Sequence, residues 1–145
     1  MLKSAGPRTG FRAKWGLTSS DMSEKGFGIE RVKGHDCKWN GPVWPFTSTV
    51  AIGGLANALR NGWAGPATAK DYVEILHEYA AAHRHVLADG TVVPWIDENQ
   101  DPLTGTWLAR AIHFKQGVTN ERGKDYNHST FCDLVLSGLA GIVAR

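Results

Sequence analysis

The chain has 145 residues, of which 42% are hydrophobic and 21% charged, which is ordinary for one soluble domain and too short for two. Lysine and arginine number 16 against 14 acidic residues, and no basic run stands apart, so we expect no nucleic-acid partner. No window approaches the ~18 apolar residues of a membrane-spanning helix. We therefore expect no membrane partner either.

Two small signals bear on metals and compartment. Cys37 and Cys132 follow no metal-ligand spacing and are too few for a disulfide framework, although a single bridge between them stays open. The first residues lead into polar sequence and not into the apolar core of a signal peptide. We predict no metal and no cofactor, and the sequence leaves the compartment undetermined.

Residues 1–36 are rich in Gly, Ser, Thr, Lys and Arg and show neither helical nor alternating periodicity. This composition predicts a long loop without regular structure. Six apolar side chains are spaced so that they could anchor the loop on helices: Phe11, Trp15, Leu17, Met22, Phe27 and Ile29. Residues 37–145 are predicted to form helical hairpins with site loops, which together with the first loop make one domain over residues 1–145.

The chain is organised around the stretch from Trp39 to Phe46, where two indoles flank a Gly-Pro step just before a predicted helix. Pro42 and Pro45 fix the backbone, and Pro45 suits a first helical turn. Flat indole faces beside the amide of Asn40 are typical of surfaces that bind sugars. The alternative, that both indoles are core aromatics near a turn, stays open at this point.

Three clear helices and one short one are predicted. The first runs from about Phe46 to Asn61, and Gly53 and Gly54 in its middle indicate that another helix crosses closely there. The second begins after Thr68 in a capping-box pattern. A short turn over 107–114 and a last helix from Ser129 or Thr130 to the end of the chain complete the set.

Two features lie between the second helix and the short one. Asp89-Gly90 permits a hairpin or a sharp reversal. The stretch over 95–105 then packs three carboxylates, two side-chain amides and an indole into one loop. His83 precedes both features on an apolar helix face without further ligands, so we predict a packing or surface histidine and not a metal ligand.

Alternate helices carry polar, aromatic loops at their N-termini. The helices that start near Phe46 and Thr130 follow such loops, whereas the helix after Thr68 follows only Gly65-Pro66. Inner helices of a toroid of helical hairpins would show this alternation, because their N-termini point at a central pocket. We therefore predict an all-α fold, a partial toroid of three to four helices with long ordered loops.

Three blocks, taken in order, resemble the C-terminal part of (α/α)6-barrel glycoside hydrolases, the six-hairpin glycosidases. They are Trp39-Asn40-Gly41-Pro42-Val43-Trp44, Glu98-Asn99-Gln100-Asp101-Pro102-Leu103-Thr104-Gly105 and Tyr126-Asn127-His128-Ser129. The most similar group contains glycoside hydrolase family 63 and the bacterial mannosylglycerate-hydrolase-like and trehalase-like enzymes. The first two blocks together are specific, and the resemblance covers residues 10–144.

The resemblance implies residue roles. In this family the loop that reads Glu-Asn-x-x-Pro-x-Thr-Gly carries the general base of an inverting hydrolase, which falls on Glu98. Such an enzyme also needs a carboxylic acid ~6.5–9.5 Å away to protonate the leaving oxygen. Trp39, Trp44 and Trp95 are then expected to be sugar-stacking walls. The further hydrogen-bonding candidates are Asn40, Asp97, Asn99, Asp101, Tyr126, Asn127 and His128.

The resemblance also implies that part of the site is missing. Family members carry the general acid, an Asp, upstream of the first block, and Asp21 and Asp36 are poor local candidates for it. Three clear helices cannot close a twelve-helix ring. We therefore expect a C-terminal fragment that is inactive alone, whose partners are the remaining barrel helices and an α-linked carbohydrate. The last block departs from the Phe-Gly-Trp-Ser of many relatives, so the sugar specificity stays open.

Two alternative functions stay open. In the first, the chain is a non-catalytic carbohydrate-binding or interaction fragment that keeps the aromatic walls without the acid. In the second, the same barrel houses a sugar phosphorylase or lyase. Phosphorolysis would need an anion pocket, for which Arg110, Arg122 and Lys124 are the nearby cations.

Overall fold

Two helices that pack against each other form the centre of the computed structural model, which describes residues 10–29, 39–115 and 130–142. The helices are α1 (Pro45–Arg60), α2 (Ala69–Ala82), α3 (Leu108–Lys115) and α4 (Thr130–Asp133), the last continuing as a π-helix over Leu134–Leu139. Two small antiparallel hairpins join β1 (Arg12–Ala13) to β2 (Gly16–Leu17) and β3 (Arg84–Val86) to β4 (Val92–Pro94). The predicted all-α class is confirmed, because the strands are only two or three residues long.

The core lies between α1, α2 and the C-terminal helical segment. Ile52 of α1 and Ile75 of α2 are each about 1–2% exposed. The other members of the buried cluster are Leu17, Ala56, Tyr72, Leu76, Tyr79 and Leu134. The apolar stripes predicted for the first two helices are the faces that meet here, since residues three and four apart fall on one side of a helix.

Local sequence signals fix the starts of both helices. Pro45 is the first residue of α1, where its missing N–H costs no hydrogen bond. At α2, Thr68 Oγ1 accepts from Asp71 N at 3.4 Å, and Asp71 Oδ2 accepts from Thr68 N at 2.8 Å, which completes the predicted capping box. The hydrogen bonds from Thr68 lower the pKa of the Asp71 carboxyl.

The N-terminal segment differs from the predicted loop. Residues 12–13 and 16–17 pair as β1 and β2, and Arg12 binds two carboxylates of α2, with Arg12 Nε 3.0 Å from Glu78 Oε2 and Arg12 Nη2 3.2 Å from Glu74 Oε2. Leu17 enters the core on the same side. The loop prediction lacked this hairpin because a two-residue strand leaves no periodicity in the sequence.

The last helix is also corrected. It was predicted to run to the end of the chain, but its helical turns end at Leu139. Tyr72 Oη donates to the carbonyl oxygen of Leu134 at 2.7 Å, and a Cβ atom at Gly138 would lie only 2.0 Å from that hydroxyl. The intruding Tyr72 hydroxyl widens the turn, and the left-handed Gly141 (φ 72°) follows, a common way to stop a helix.

The close helix crossing expected at the two central glycines of α1 is found at one of them. A Cβ atom at Gly53 would lie 3.8 Å from Leu134 Cδ2, whereas one at Gly54 would meet nothing within 4 Å among the described residues. Gly54 therefore faces away from the described core. No helix in the described ranges is long and apolar enough to cross a membrane.

Candidate functional site

The two loops singled out by the sequence are hydrogen-bonded to each other. Val43 and Gln100 exchange backbone bonds of 2.9 Å in both directions. Isolated antiparallel bridges extend this contact to Thr18 on one side and to Trp107 on the other. Three parts of the chain that are far apart in the sequence, at Thr18, at Val43 and over 100–107, thus lie edge to edge, and these backbone pairs fix the positions of the aromatic and the acidic loop relative to each other.

The aromatic loop presents one indole and buries the other. Trp39 is 60% exposed, and its ring stacks on Trp44 with centroids 4.0 Å apart and planes 6° apart. Trp44, which was predicted as a second wall, is 1% exposed because it is the N-cap residue of α1 and lies beneath Trp39. In this structure the open stacking face of the pair therefore belongs to Trp39.

Asn40 and Gly41 tie the aromatic loop to the N-terminal segment. The side-chain amide of Asn40 donates to the backbone carbonyl of Gly26. The backbone carbonyl of Asn40 accepts from Gly28 N at 3.1 Å. Gly41 N donates to Ser19 Oγ at 2.9 Å. The sugar-binding role of Asn40 stays a prediction, and the structure adds a second role, which is to hold the loop over residues 26–28.

The acidic loop buries both of its amides and two of its carboxylates, Asp97 and Asp101, and leaves Glu98 half-buried. Asp97 is 1% exposed, and its Oδ1 accepts from Glu98 N at 2.7 Å, which holds the backbone of Glu98. Asn99 is 3% exposed, and its Oδ1 has no hydrogen-bond partner among the described residues. A buried acceptor without a partner is energetically costly, so Asn99 Oδ1 could accept a hydrogen bond from a further donor.

Asp101 and Gln100 shape the loop. Asp101 Oδ1 accepts from the backbone of Leu103 at 2.7 Å and of Thr104 at 3.1 Å, as in an Asx turn. Gln100 is 1% exposed, and its amide donates to the carbonyls of Ala82 and Gly105 at 3.2 and 2.8 Å. Sequence reasoning missed Gln100 as a key residue, because an amide in a polar loop carries no signal that it is buried.

Trp95 is 8% exposed, and a guanidinium and an imidazole lie against its ring. The Arg110 guanidinium carbon lies 4.5 Å from the ring centroid, and the His85 ring lies 5.1 Å away. Trp95 also borders an apolar cavity of about 370 Å³, together with Tyr79, His83 and Phe131. The predicted wall is therefore a covered side chain here, with an edge on this cavity.

His83 packs as predicted. Its Nδ1 lies 2.5 Å from the carbonyl oxygen of Tyr79, and its ring meets the Tyr79 ring edge-on at 4.3 Å. Burial lowers the pKa of His83, and the bond to Tyr79 opposes this only in part. Burial also raises the pKa of Tyr79, so the phenol stays neutral. Within the described residues no cluster of three His, Cys, Asp or Glu could hold a metal.

We predict that His83 makes stability depend on pH. Because its folded-state pKa is lower than the unfolded value of about 6.5, the unfolded chain binds the proton more readily. The free energy of unfolding is then highest above about pH 6.5 and falls as the pH drops through the folded-state pKa. Urea unfolding between about pH 5 and pH 8 should show this dependence of the free energy of unfolding on pH, and His83→Gln should weaken it.

His77→Gln is the control, because His77 is an exposed imidazole of α2. A pH dependence that is unchanged in His83→Gln contradicts the assignment to His83.

Several predicted residues lie outside the described ranges. They are Tyr126, Asn127, His128, Asp36, Cys37, Arg122 and Lys124. Asp21 is described, and its Oδ1 accepts from Gly10 N at 3.0 Å, Ser23 N at 2.8 Å and Ser23 Oγ at 2.6 Å. The bonds from Ser23 lower the pKa of Asp21, whereas a general acid needs a raised pKa. Asp21 therefore acts as a turn residue.

Comparison with known proteins places this chain, by sequence and by fold, in the class of glycosidases. A family model described as the mannosylglycerate hydrolase MGH1-like glycoside hydrolase domain matches residues 1–129. A solved structure titled "Sialidase" has a TM-score of 0.72 and 33% identity over 95% of this chain. No curated protein matches.

Because the family model spans most of its length, this chain belongs to the mannosylglycerate hydrolase MGH1-like glycoside hydrolase family. The predicted family resemblance is thereby confirmed, and the described helices fit a partial all-α toroid. This chain spans only 11% of the sialidase-titled chain. The activity of a whole protein therefore does not follow from this match.

Proposed function

We propose that this chain supplies the general-base half of a pocket that hydrolyses an α-linked sugar with inversion, Glu98 being the base. The observation that carries the proposal is the two-way bond between Val43 and Gln100. It holds the loop that bears Trp39 against the loop that bears Glu98. A stacking surface and a carboxylate on neighbouring loops are what a glycosidase pocket needs on one side of its substrate.

The surroundings of Glu98 suit a positioned base. Its backbone N–H is held by the buried Asp97, and the backbone is fixed two residues later by Gln100. Glu98 itself is half-buried and so can reach a substrate or a water molecule. In an inverting reaction this carboxylate would take a proton from water as the water attacks the anomeric carbon, on the face opposite the leaving group.

The acid that protonates the leaving oxygen is proposed to come from other barrel helices. Asp21 is engaged in a turn and has a lowered pKa, which argues against it. We use "completed barrel" for this chain combined, in cis or in trans, with the helices that supply the acid. The chain by itself is then expected to bind sugar without cleaving it.

The stereochemistry of the product tests this mechanism. The completed barrel should release the β-anomer first from an aryl α-glycoside, as followed by proton NMR before mutarotation. Initial release of the α-anomer would contradict the inverting mechanism. A requirement for added phosphate, with a sugar phosphate as product, would support the phosphorylase alternative, and sugar binding without turnover by the completed barrel would support the non-catalytic one.

A further inference from the structure

A cavity of about 480 Å³ lies beside the hairpin of β3 and β4, apart from the face of Trp39. Its lining includes two cations, two hydroxyls and two indoles, from Arg84, Arg110, Thr104, Thr106, Trp15 and Trp107. Cavities of roughly 300–1,000 Å³ accommodate small organic ligands. This volume is therefore sufficient for a ligand the size of a sugar.

Arg84 is one of the two cations of this cavity. Its guanidinium carbon lies 4.9 Å from the centre of the Trp15 ring, and within residues 10–29, 39–115 and 130–142 it forms no ion pair. A guanidinium that lies over an indole uses its flat face, whereas carboxylates and phosphates bind to its N–H edge. The stacking thus orders the cation without occupying the donors that an oxyanion would use.

The backbone around Arg84 is fixed. Trp107 Nε1 donates to the carbonyl oxygen of Arg84 at 2.8 Å, and Trp15 Nε1 donates to that of Leu103 at 3.2 Å. A Cβ atom at Gly105 would lie 2.7 Å from the Trp15 ring, so the loop after Asp101 packs directly on that indole. The two indoles therefore join the hairpin to the acidic loop and form the walls of the cavity.

The threonines add a neutral donor. Thr106 Oγ1 accepts from Thr104 Oγ1 at 3.0 Å, which leaves the Thr106 hydroxyl hydrogen available for a ligand. None of the residues that line the cavity is an Asp or a Glu. Asp101, three residues before Thr104, directs Oδ1 to the backbone of Leu103 and Thr104. The lining thus offers donors and positive charge to a ligand and no carboxylate.

We propose that this cavity binds the oxyanion of an acidic sugar, either a carboxylate or a phosphate monoester, through Arg84 and Thr106. Arg110 lines the same cavity and lies over Trp95, three residues before Glu98, so the bound acid group would sit beside the acidic loop. The inference rests on the proposed function only in taking the ligand to be a sugar. It uses no residue assigned to the catalytic step.

The test is a titration of the 145-residue chain with glucuronate, glucose 6-phosphate, inorganic phosphate and glucose. The indole N–H signals of Trp15 and Trp107 in NMR spectra report on this cavity, and those of Trp39 and Trp44 report on the aromatic loop. The sugar acids should shift the Trp15 and Trp107 signals, and glucose should not. Comparison of glucuronate with glucose 6-phosphate identifies the preferred oxyanion, and inorganic phosphate shows what the anion contributes without a sugar.

Two variants and a control make the titration decisive. Arg84→Gln should weaken binding by about tenfold, because a charge-assisted bond is lost, and Thr106→Val by a smaller factor. Lys70→Gln removes an exposed charge on α2 and should leave the affinity unchanged. No binding, equal binding of glucose, shifts confined to Trp39 and Trp44, or full affinity in Arg84→Gln would each overturn the inference. Since no arm measures turnover, such a failure would leave Glu98-dependent hydrolysis intact.

Discussion

Glu98→Gln is expected to lower kcat of the completed barrel by roughly 10²–10⁴-fold, the usual contribution of a general base. The amide keeps the size of the side chain but cannot take a proton from the attacking water. Since the lost interaction belongs to the transition state, kcat and kcat/KM should fall together while KM changes little. Steady-state kinetics on an aryl α-glycoside measure both constants.

A matched substitution separates catalysis from folding. Glu24→Gln changes an exposed carboxylate in the N-terminal segment and should leave kcat unchanged. A Glu98→Gln enzyme with full activity would remove Glu98 from the mechanism, and turnover by the 145-residue chain alone would refute the half-site proposal.

The parts of the fold that the sequence predicted are those with local causes. The capping box of Thr68 and Asp71 and the first-turn Pro45 act within four residues of where they stand. The apolar stripes of α1 and α2 have the period of a helix, so the faces that form the core could be read directly from the spacing. Asp89-Gly90 likewise marked the turn between β3 and β4, where Gly90 has φ 83°.

What the sequence could not predict depends on contacts between distant segments. No pattern near Val43 indicates that it pairs with Gln100, and Arg12 carries no sign that its partners are Glu74 and Glu78. The motif identified the two site loops, but only the fold shows that Trp44 is covered by Trp39. Trp39 and Trp44, two side chains of the same type in one loop, therefore differ in exposure because of how the chain packs. The local sequence does not show that packing.

The same contrast applies within the acidic loop. The sequence predicts Glu98 as the base and Asp97, Asn99 and Asp101 as hydrogen-bonding residues for the sugar, and the structure gives these side chains different surroundings. Asp97 and Asp101 accept backbone N–H groups, and Gln100 donates to two carbonyls. These bonds hold the loop on which Glu98 lies. The proposed base and the residues that hold its loop thus come from one motif.

Gly41→Ala is expected to destabilise the chain by about 1–3 kcal/mol, the range for forcing extra atoms into packed structure. A Cβ atom at residue 41 would lie 2.0 Å from the carbonyl oxygen of Gly28 and 2.7 Å from its carbon. Both are backbone atoms, so the clash cannot be relieved by the rotation of a side chain. The bond from Gly28 N to the Asn40 carbonyl holds the two segments together at this point and would stretch or break.

Gly54→Ala makes the same chemical change but should raise the free energy of unfolding. Gly54 lies inside α1, where an added methyl meets nothing within 4 Å among the described residues, so the variant should gain about 0.5–1 kcal/mol from helix propensity. Urea unfolding followed by tryptophan fluorescence measures both changes. Gly41→Ala should also disturb the stack of Trp39 on Trp44, because residue 41 lies between them in the loop. If Gly41→Ala were as stable as Gly54→Ala, the close contact between residue 41 of the aromatic loop and Gly28 would not exist in solution.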